Sequence, residues 1–366
     1  MSGTRVWTRA WCSLSELDDA PWVARVWVVV VLFAVVTAAR SVQVGIGVRD
    51  PHGEIFASRV ALSLGLLFVL AGAEAVARAR RDCLRPRAVL GVLRRRWTRQ
   101  RLALVLTGLL AYHLVYLCYH NLKSWDVFLP PRDAMLLGWD RWLFLGHSPA
   151  VLLHDLLGQH VAAYVLMVVY ESFSTLVSVS VVGSMALTER VRDGCVYIAS
   201  AIWVWILGVG SYYLIPSLGP FHSAPAEFRG LPHTMIQDTQ ARYMGQRAHL
   251  LAHPAASDAF AQVSAFASLH VGVTCLIVLM ARYYGMRWTS VALTVFLVAT
   301  IVATVYLGWH FAVDDLAGLL IGYVAFRLGR LTVYPRGRLP GPRAGAEHEL
   351  QRSGKHPGRG VTVVVD

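Results

Sequence analysis

Long apolar runs alternate with short polar ones along this chain, and the apolar runs share one length. A helix needs about 20 mostly apolar residues to cross the hydrocarbon of a bilayer. Eight stretches meet that demand: Trp22 to Ala39, Val60 to Val76, Leu102 to Leu122, Val161 to Leu187, Cys195 to Ile215, Phe266 to Tyr284, Thr289 to Trp309 and Asp315 to Leu331. The pattern predicts an all-α fold, a polytopic membrane helix bundle of about eight transmembrane helices. The first stretch does not read as a cleaved signal peptide, because its leader is long and carries Glu16, Asp18 and Asp19. No repeat of fixed period and no matched pair of interrupted spans is present, which argues against a transporter built on internal symmetry.

Composition agrees with the pattern. A chain of 366 residues that is 56% hydrophobic, with mean hydropathy +0.50, is too apolar for soluble domains of this length. The net charge of +12 gathers in segments that flank apolar runs, which suits anionic lipid head groups and argues against nucleic acid. Arg78 to Arg101 holds ten arginines against one acid, Asp82, and such a segment belongs on the cytoplasmic side. The turns at 189–192 and 282–287 and the basic tail then fall on that side too. Both termini are cytoplasmic, and the connections at 40–59, 123–160 and 216–263 are external, as for a protein of a bacterial-type plasma membrane. Three parts follow: residues 1–101 as an N-terminal two-span addition with the Arg-rich loop, 102–333 as a six-span core, and 334–366 as a flexible cytoplasmic tail. Cys12, Cys83, Cys118, Cys195 and Cys275 show no C-x-x-C spacing and indicate neither a disulfide framework nor a zinc site. Trp125, Trp139, Trp142 and Trp309, near span ends, read as interface anchors. The pattern does not define an oligomeric state.

Two histidines change the picture. His270 begins the sixth run and His310 ends the seventh, so alternation brings both to the outer face. A titratable group there is costly unless it is paired or used. Asp314 stands four residues after His310, and on a helix such a pair shares one face with β-carbons about 5–6 Å apart. A carboxylate on one ring nitrogen leaves the other as a nucleophile suited to phosphorus. Asp315 points about 100° away and reads as an N-cap or first-turn anion. Ser268 and His270 open a helix, where free backbone N–H groups make an anion site. Ser268 is expected to donate to a phosphate oxygen, and His270 to give a proton to a leaving alkoxide. A lone interfacial histidine more often anchors a helix end, but S-x-H and H-x-x-x-D at matching ends of neighbouring spans favour chemistry. The long outer segment Ser217 to Gln262 is expected to cover or shape the site. His249 and His253, followed by Pro254 and far from any acidic cluster, do not read as a metal site. Glu171, inside the fourth run, is either functional or paired with a polar neighbour.

At these motifs the chain resembles the type 2 phosphatidic acid phosphatase superfamily of integral membrane enzymes. Ala267-Ser268-Leu269-His270 is similar to the family's P-S-G-H, and Ala303 to Asp314 to its S-R-x-x-x-x-x-H-x-x-x-D, with Leu316-Ala317-Gly318 beyond. The likeness covers the third to eighth spans. It implies that His310 is transiently phosphorylated, that Asp314 orients it, and that His270 protonates the leaving group, on a lipid or polyprenyl phosphate at the extracytoplasmic face, with no metal and no cofactor. The chain departs from the pattern at Ala267, Leu269, Ala303 and Thr304, and the first motif, K-x-x-x-x-x-x-R-P, has no clean counterpart. The segments Tyr212 to His222 and Asp140 to Pro149 look more like the branch that includes inositol phosphorylceramide synthases. Phosphoryl transfer needs positive charge or oriented donors on the equatorial oxygens, so other groups must replace the lost cations. The candidates are His222, Arg229, Arg242 and Arg247, with Tyr213 as a neutral donor. Attack by water makes a phosphatase, and attack by an inositol or sugar hydroxyl makes a phosphotransferase. A catalytically silent lipid-binding or transport protein is the third reading.

Overall fold

Helices take up most of the described residues. The computed structural model describes residues 21–80 and 85–335, which form thirteen helices and no strand. The acidic leader, Cys12, Cys83, part of the Arg-rich loop and the tail beyond Pro335 lie outside the described residues. In chain order the helices are α1 (Pro21–Val44), α2 (Ala57–Ala79), α3 (Pro86–Arg96), α4 (Arg99–Trp125), α5 (Asp133–Leu143), α6 (Pro149–Leu157), α7 (Val161–Leu187), α8 (Val191–Leu214), α9 (Pro220–Ser223), α10 (Met235–Ala252), α11 (Leu269–Tyr283), α12 (Arg287–Tyr306) and α13 (Ala312–Val333). Seven of these, α1, α2, α4, α7, α8, α12 and α13, are long and apolar enough to cross a membrane. The protein is an integral membrane helix bundle.

The sixth apolar run departs from expectation. Its helix, α11, has only 15 residues, about 22 Å at 1.5 Å per residue, against a hydrocarbon core of about 30 Å. The helix starts at Leu269, three residues after the expected Phe266. Residues 259–267 enter the bundle as non-helical backbone with Ala261, Ala265 and Ala267 buried. Irregular backbone survives at such depth only when its polar groups are satisfied inside the protein. Three serines do this: the amides of Ala261, Phe266 and Ala267 donate to the hydroxyls of Ser124 (3.0 Å), Ser217 (2.8 Å) and Ser211 (2.9 Å).

The centre of the bundle is α13, which packs against α8 and α11. Glycine makes this close approach possible. A β-carbon on Gly318 would collide with the Ser268 carbonyl oxygen, one on Gly322 with that of Gly272, and one on Gly329 with the backbone of Ser200 in α8. Helices that meet in lipid gain little from hydrophobic burial and rely on tight van der Waals contact between small residues. Trp125 and Trp309 are buried inside the protein, so they are core residues and not the interface anchors expected. Cys118, Cys195 and Cys275 are free thiols.

At one end of the bundle the arginines are partly spent on helix termini. Arg101 donates to the carbonyls of Thr188 (2.6 Å) and Glu189 (3.0 Å). Arg96 donates to the Thr188 carbonyl as well (2.9 Å), and pairs with Glu74 and Glu189. Arg25 reaches the Thr332 carbonyl at 2.7 Å. Cations here offset the negative ends of α7 and α13.

Gly322→Leu should force α13 off α11 and cost about 1–3 kcal/mol through overpacking, read as a lower unfolding midpoint in detergent. Gly65→Ala, on α2 with open space around it, should leave the midpoint unchanged.

Candidate functional site

Both histidines stand at the end of the bundle opposite those arginines, where α11 and α13 begin. The two helix starts are tied together directly: the Ser268 amide donates to the Asp314 carbonyl at 3.0 Å. The turn before α13 closes on Thr304, whose carbonyl accepts from the amides of Trp309 (3.0 Å) and His310 (3.2 Å). Gly308 has φ +78 there, with the Phe228 ring 2.8 Å from where a β-carbon would sit, so only glycine fits.

Helix α5 fixes this turn from outside. Asp140 accepts from the amides of Ala312 (2.9 Å) and Val313 (3.0 Å), which caps α13. Burial pushes the Asp140 carboxyl above the usual range, and those two donors act against it. Asp133 accepts from the amides of Leu218 (2.9 Å) and Gly219 (2.8 Å). Helix α5, which carries the first residues of one segment that suggested the synthase-like branch, therefore holds both the 218–219 turn of the other segment and the start of α13. The outer segment is folded: α10, capped by Thr234, donates from the Gln240 side chain to the Leu307 carbonyl at 3.0 Å and sets Tyr243 5.8 Å from Trp309. It packs on the turn that carries His310.

Within this frame the rings of His270 and His310 lie with centroids 5.9 Å apart at 59°, close enough to act on one phosphorus. His270 is held between Tyr170 (4.3 Å, stacked) and Phe173 (4.4 Å), and Trp309 stacks on Tyr170. Asp314 Oδ2 lies 3.5 Å from His310 Nδ1. Burial lowers the His310 pKa to about 4, although the charge of Asp315 and the Ala265 carbonyl pull upward.

The two aspartates exchange one expected role. Asp314 makes the first-turn contact, accepting the Phe311 amide at 3.0 Å on the oxygen that faces His310. Asp315, expected as the capping anion, turns inward, accepts from Thr304 Oγ1 at 2.9 Å and adds its charge beside His310. At the N-terminus of a helix the third residue reaches back to the capping amide, so a wheel diagram alone misplaces the pair. Thr304 stands where the family has arginine, and it holds this second carboxylate. Ser268 Oγ is fully buried near Asp315 and closes no hydrogen bond of good geometry.

The expected cation replacements scatter. Tyr213 gives its only hydroxyl proton to the Leu122 carbonyl at 2.9 Å. His222 and Arg229 are exposed on the covering segment. Arg247 bears on Asp126. Arg242 lies over the Tyr243 ring at 5.6 Å and faces Glu171, which is exposed on α7. His249 sits 3.3 Å from Asp258. Among the described residues, the cation whose charge bears on both rings is Lys123, at the end of α4. Its ammonium is 5.7 Å from the Tyr212 ring. A cavity of about 50 Å³ is lined by Phe173 together with Arg59, Ser63 and His113. Composition held the signal for Lys123: it is one of two lysines among 34 basic residues, kept in a chain that otherwise uses arginine.

Fold and site together define a membrane-embedded two-histidine centre with carboxylates beside one ring and a lysine whose charge bears on both. A family model described as the PAP2 superfamily matches residues 134–328, more than half of the chain. The chain belongs to that superfamily, and membership suggests phosphatase-type activity. No curated protein and no solved structure matches the chain.

Asp140→Ala should remove the cap of α13, cost about 0.5–2 kcal/mol, and loosen the turn that carries His310. Asp140→Asn should recover part of the loss. Unfolding midpoints of both variants in detergent are the check.

Proposed function

We propose that the protein is a membrane phosphatase that removes phosphate from a lipid or polyprenyl phosphate through a phosphohistidine on His310. The observation that carries this reading is the convergence of His270 and His310 at 5.9 Å, with Asp314 Oδ2 at 3.5 Å behind the His310 ring. With Nδ1 turned to Asp314, Nε2 attacks phosphorus as the bond to the lipid oxygen breaks. His270 gives its proton to the departing alkoxide, and the lipid alcohol leaves. The neutral His270 then takes a proton from water, the hydroxide attacks phosphorus, the N–P bond breaks, and inorganic phosphate is released.

Each neighbour has a task in this scheme. Asp314 and Asp315 balance the positive charge on the phosphorylated ring. Lys123, Ser268 Oγ and the free amides at the start of α11 take the equatorial oxygens, in place of the family cations this chain lacks. The aromatic wall of Tyr170, Phe173 and Trp309 keeps the reacting centre dry, which strengthens these electrostatic contacts. The site faces the extracytoplasmic side, a placement supported by the arginines at the opposite end and the positive-inside rule. Helices α4 to α13 form the working core, and α1 and α2 are additions, the second of which brings Arg59 towards it.

His310→Ala should lower turnover about 10³-fold or more and abolish an acid-labile, base-stable phosphoryl-enzyme seen with labelled substrate. His270→Ala should cost about 10²–10⁴-fold on an alkyl phosphate and far less on an aryl phosphate, whose leaving group needs no proton. Labelled-product assays with and without inositol identify the acceptor. Free phosphate alone marks hydrolysis, a phosphorylated polyol marks transfer, and turnover that survives His310→Ala would sink the mechanism.

The nucleophile is the unprotonated ring, so the activity set by His310 is full above its pKa and falls as pH drops through about 4. The acid limb of kcat/KM, after correction for ionisation of the substrate, should lie there and not near about 6.5, the value of free imidazole.

A further inference from the structure

At the end of the bundle away from the histidines, α7, α8, α11 and α12 do not close on one another. They leave a cavity of about 700 Å³, within the range of about 300–1,000 Å³ that takes a small-molecule ligand. Leu176 and Val179 of α7, Ile277 and Met280 of α11 and Leu293 of α12 form its apolar wall. Gly183 widens it, because a β-carbon there would meet nothing within 4 Å. From Tyr170 beside His270 to Leu187 at the mouth, α7 rises about 26 Å at 1.5 Å per residue. The inner end of the cavity, at Leu176, is about 9 Å along the helix from Tyr170, and none of Tyr170, Phe173, His270 and His310 lines it, so the cavity is separate from the reacting centre.

Charge at the mouth selects the ligand. Glu189 is neutralised by Arg78 and by Arg96 at 2.8 Å. Asp193 accepts from the hydroxyls of Tyr283 (3.3 Å) and Tyr334 (2.8 Å). Arg190 lines the same mouth, is exposed, and makes no ion pair or hydrogen bond through its guanidinium among the described residues. A single uncommitted guanidinium over an apolar chamber at a helix end matches a phosphate joined to a hydrocarbon chain, since guanidinium binds phosphate in a two-pronged geometry. The arginines of α3 add positive potential on the same side.

We propose that this cavity is a binding site for an anionic glycerophospholipid, with its phosphate on Arg190 and an acyl chain between α7 and α12. Such a lipid fastens α7, which carries Tyr170 and Phe173 at its far end, to α11, which carries His270. Occupancy should therefore stabilise the folded chain by mass action.

The test uses the full chain in nanodiscs of equal parts phosphatidylglycerol and phosphatidylcholine, extracted in mild detergent, with retained lipid counted by native mass spectrometry. The wild type should keep phosphatidylglycerol in preference to phosphatidylcholine. Arg190→Ala should reduce that preference on the order of tenfold, and Arg190→Lys should restore part of it. Gly183→Phe, which fills the chamber without touching the mouth, should release both lipids. Arg190 is exposed, so its variants keep the fold, and an unfolding midpoint verifies this for each protein. No preference in the wild type, or retention unchanged in Arg190→Ala or in Gly183→Phe, overturns the proposal. The readout is bound lipid, so it stands apart from whether the histidines hydrolyse phosphate.

Discussion

The bond from the Ser268 amide to the Asp314 carbonyl holds together two helix starts that are 46 residues apart in sequence, and the site depends on it. It forms because Gly318 and Gly322 let the backbones of α13 and α11 come closer than any side chain would permit. In a bilayer there is no water to accept a stray amide, so a backbone bond between helices is far more constraining than in a soluble protein. The glycines give up side-chain packing, and the return is a fixed distance between two imidazoles.

The frame around that bond is polar and drawn from outside the spanning helices. Asp133 and Asp140, seven residues apart on α5, hold the 218–219 turn and the first turn of α13. Gln240 on α10 reaches the Leu307 carbonyl, and His154 on α6 reaches that of Tyr306 at 2.9 Å. Carbonyls and amides that the 306–313 segment cannot satisfy for itself are thus met by three helices outside the spans. Their sequences look like ordinary loops because each uses only one or two side chains for these contacts.

Much of this was legible in the sequence, and the gaps have physical causes. Apolar length located the spans, since hydrocarbon thickness sets it, and alternation put His270 and His310 at the same end. The start of α11 was misjudged because residues 259–267 are as apolar as a helix, while the serines that satisfy them lie far away at 124, 211 and 217. The roles of Asp314 and Asp315 were blurred because hydrogen-bond register in a first helical turn does not follow a wheel. Lys123 escaped notice because it ends a span, where a lysine ordinarily reaches for the interface. Its half-buried position depends on α4 packing beside α8, which no local pattern reveals. Trp309 looked like an anchor for the same reason.

The scarcity of lysine has an experimental use. The chain offers two side-chain primary amines, at Lys123 and Lys355, so amine-selective acylation addresses the lysine beside Tyr212 against a background of Lys355 and the α-amino group. The protein carries its own nearly site-specific attachment point, and a small ligand seated there would register as protection of one nitrogen atom.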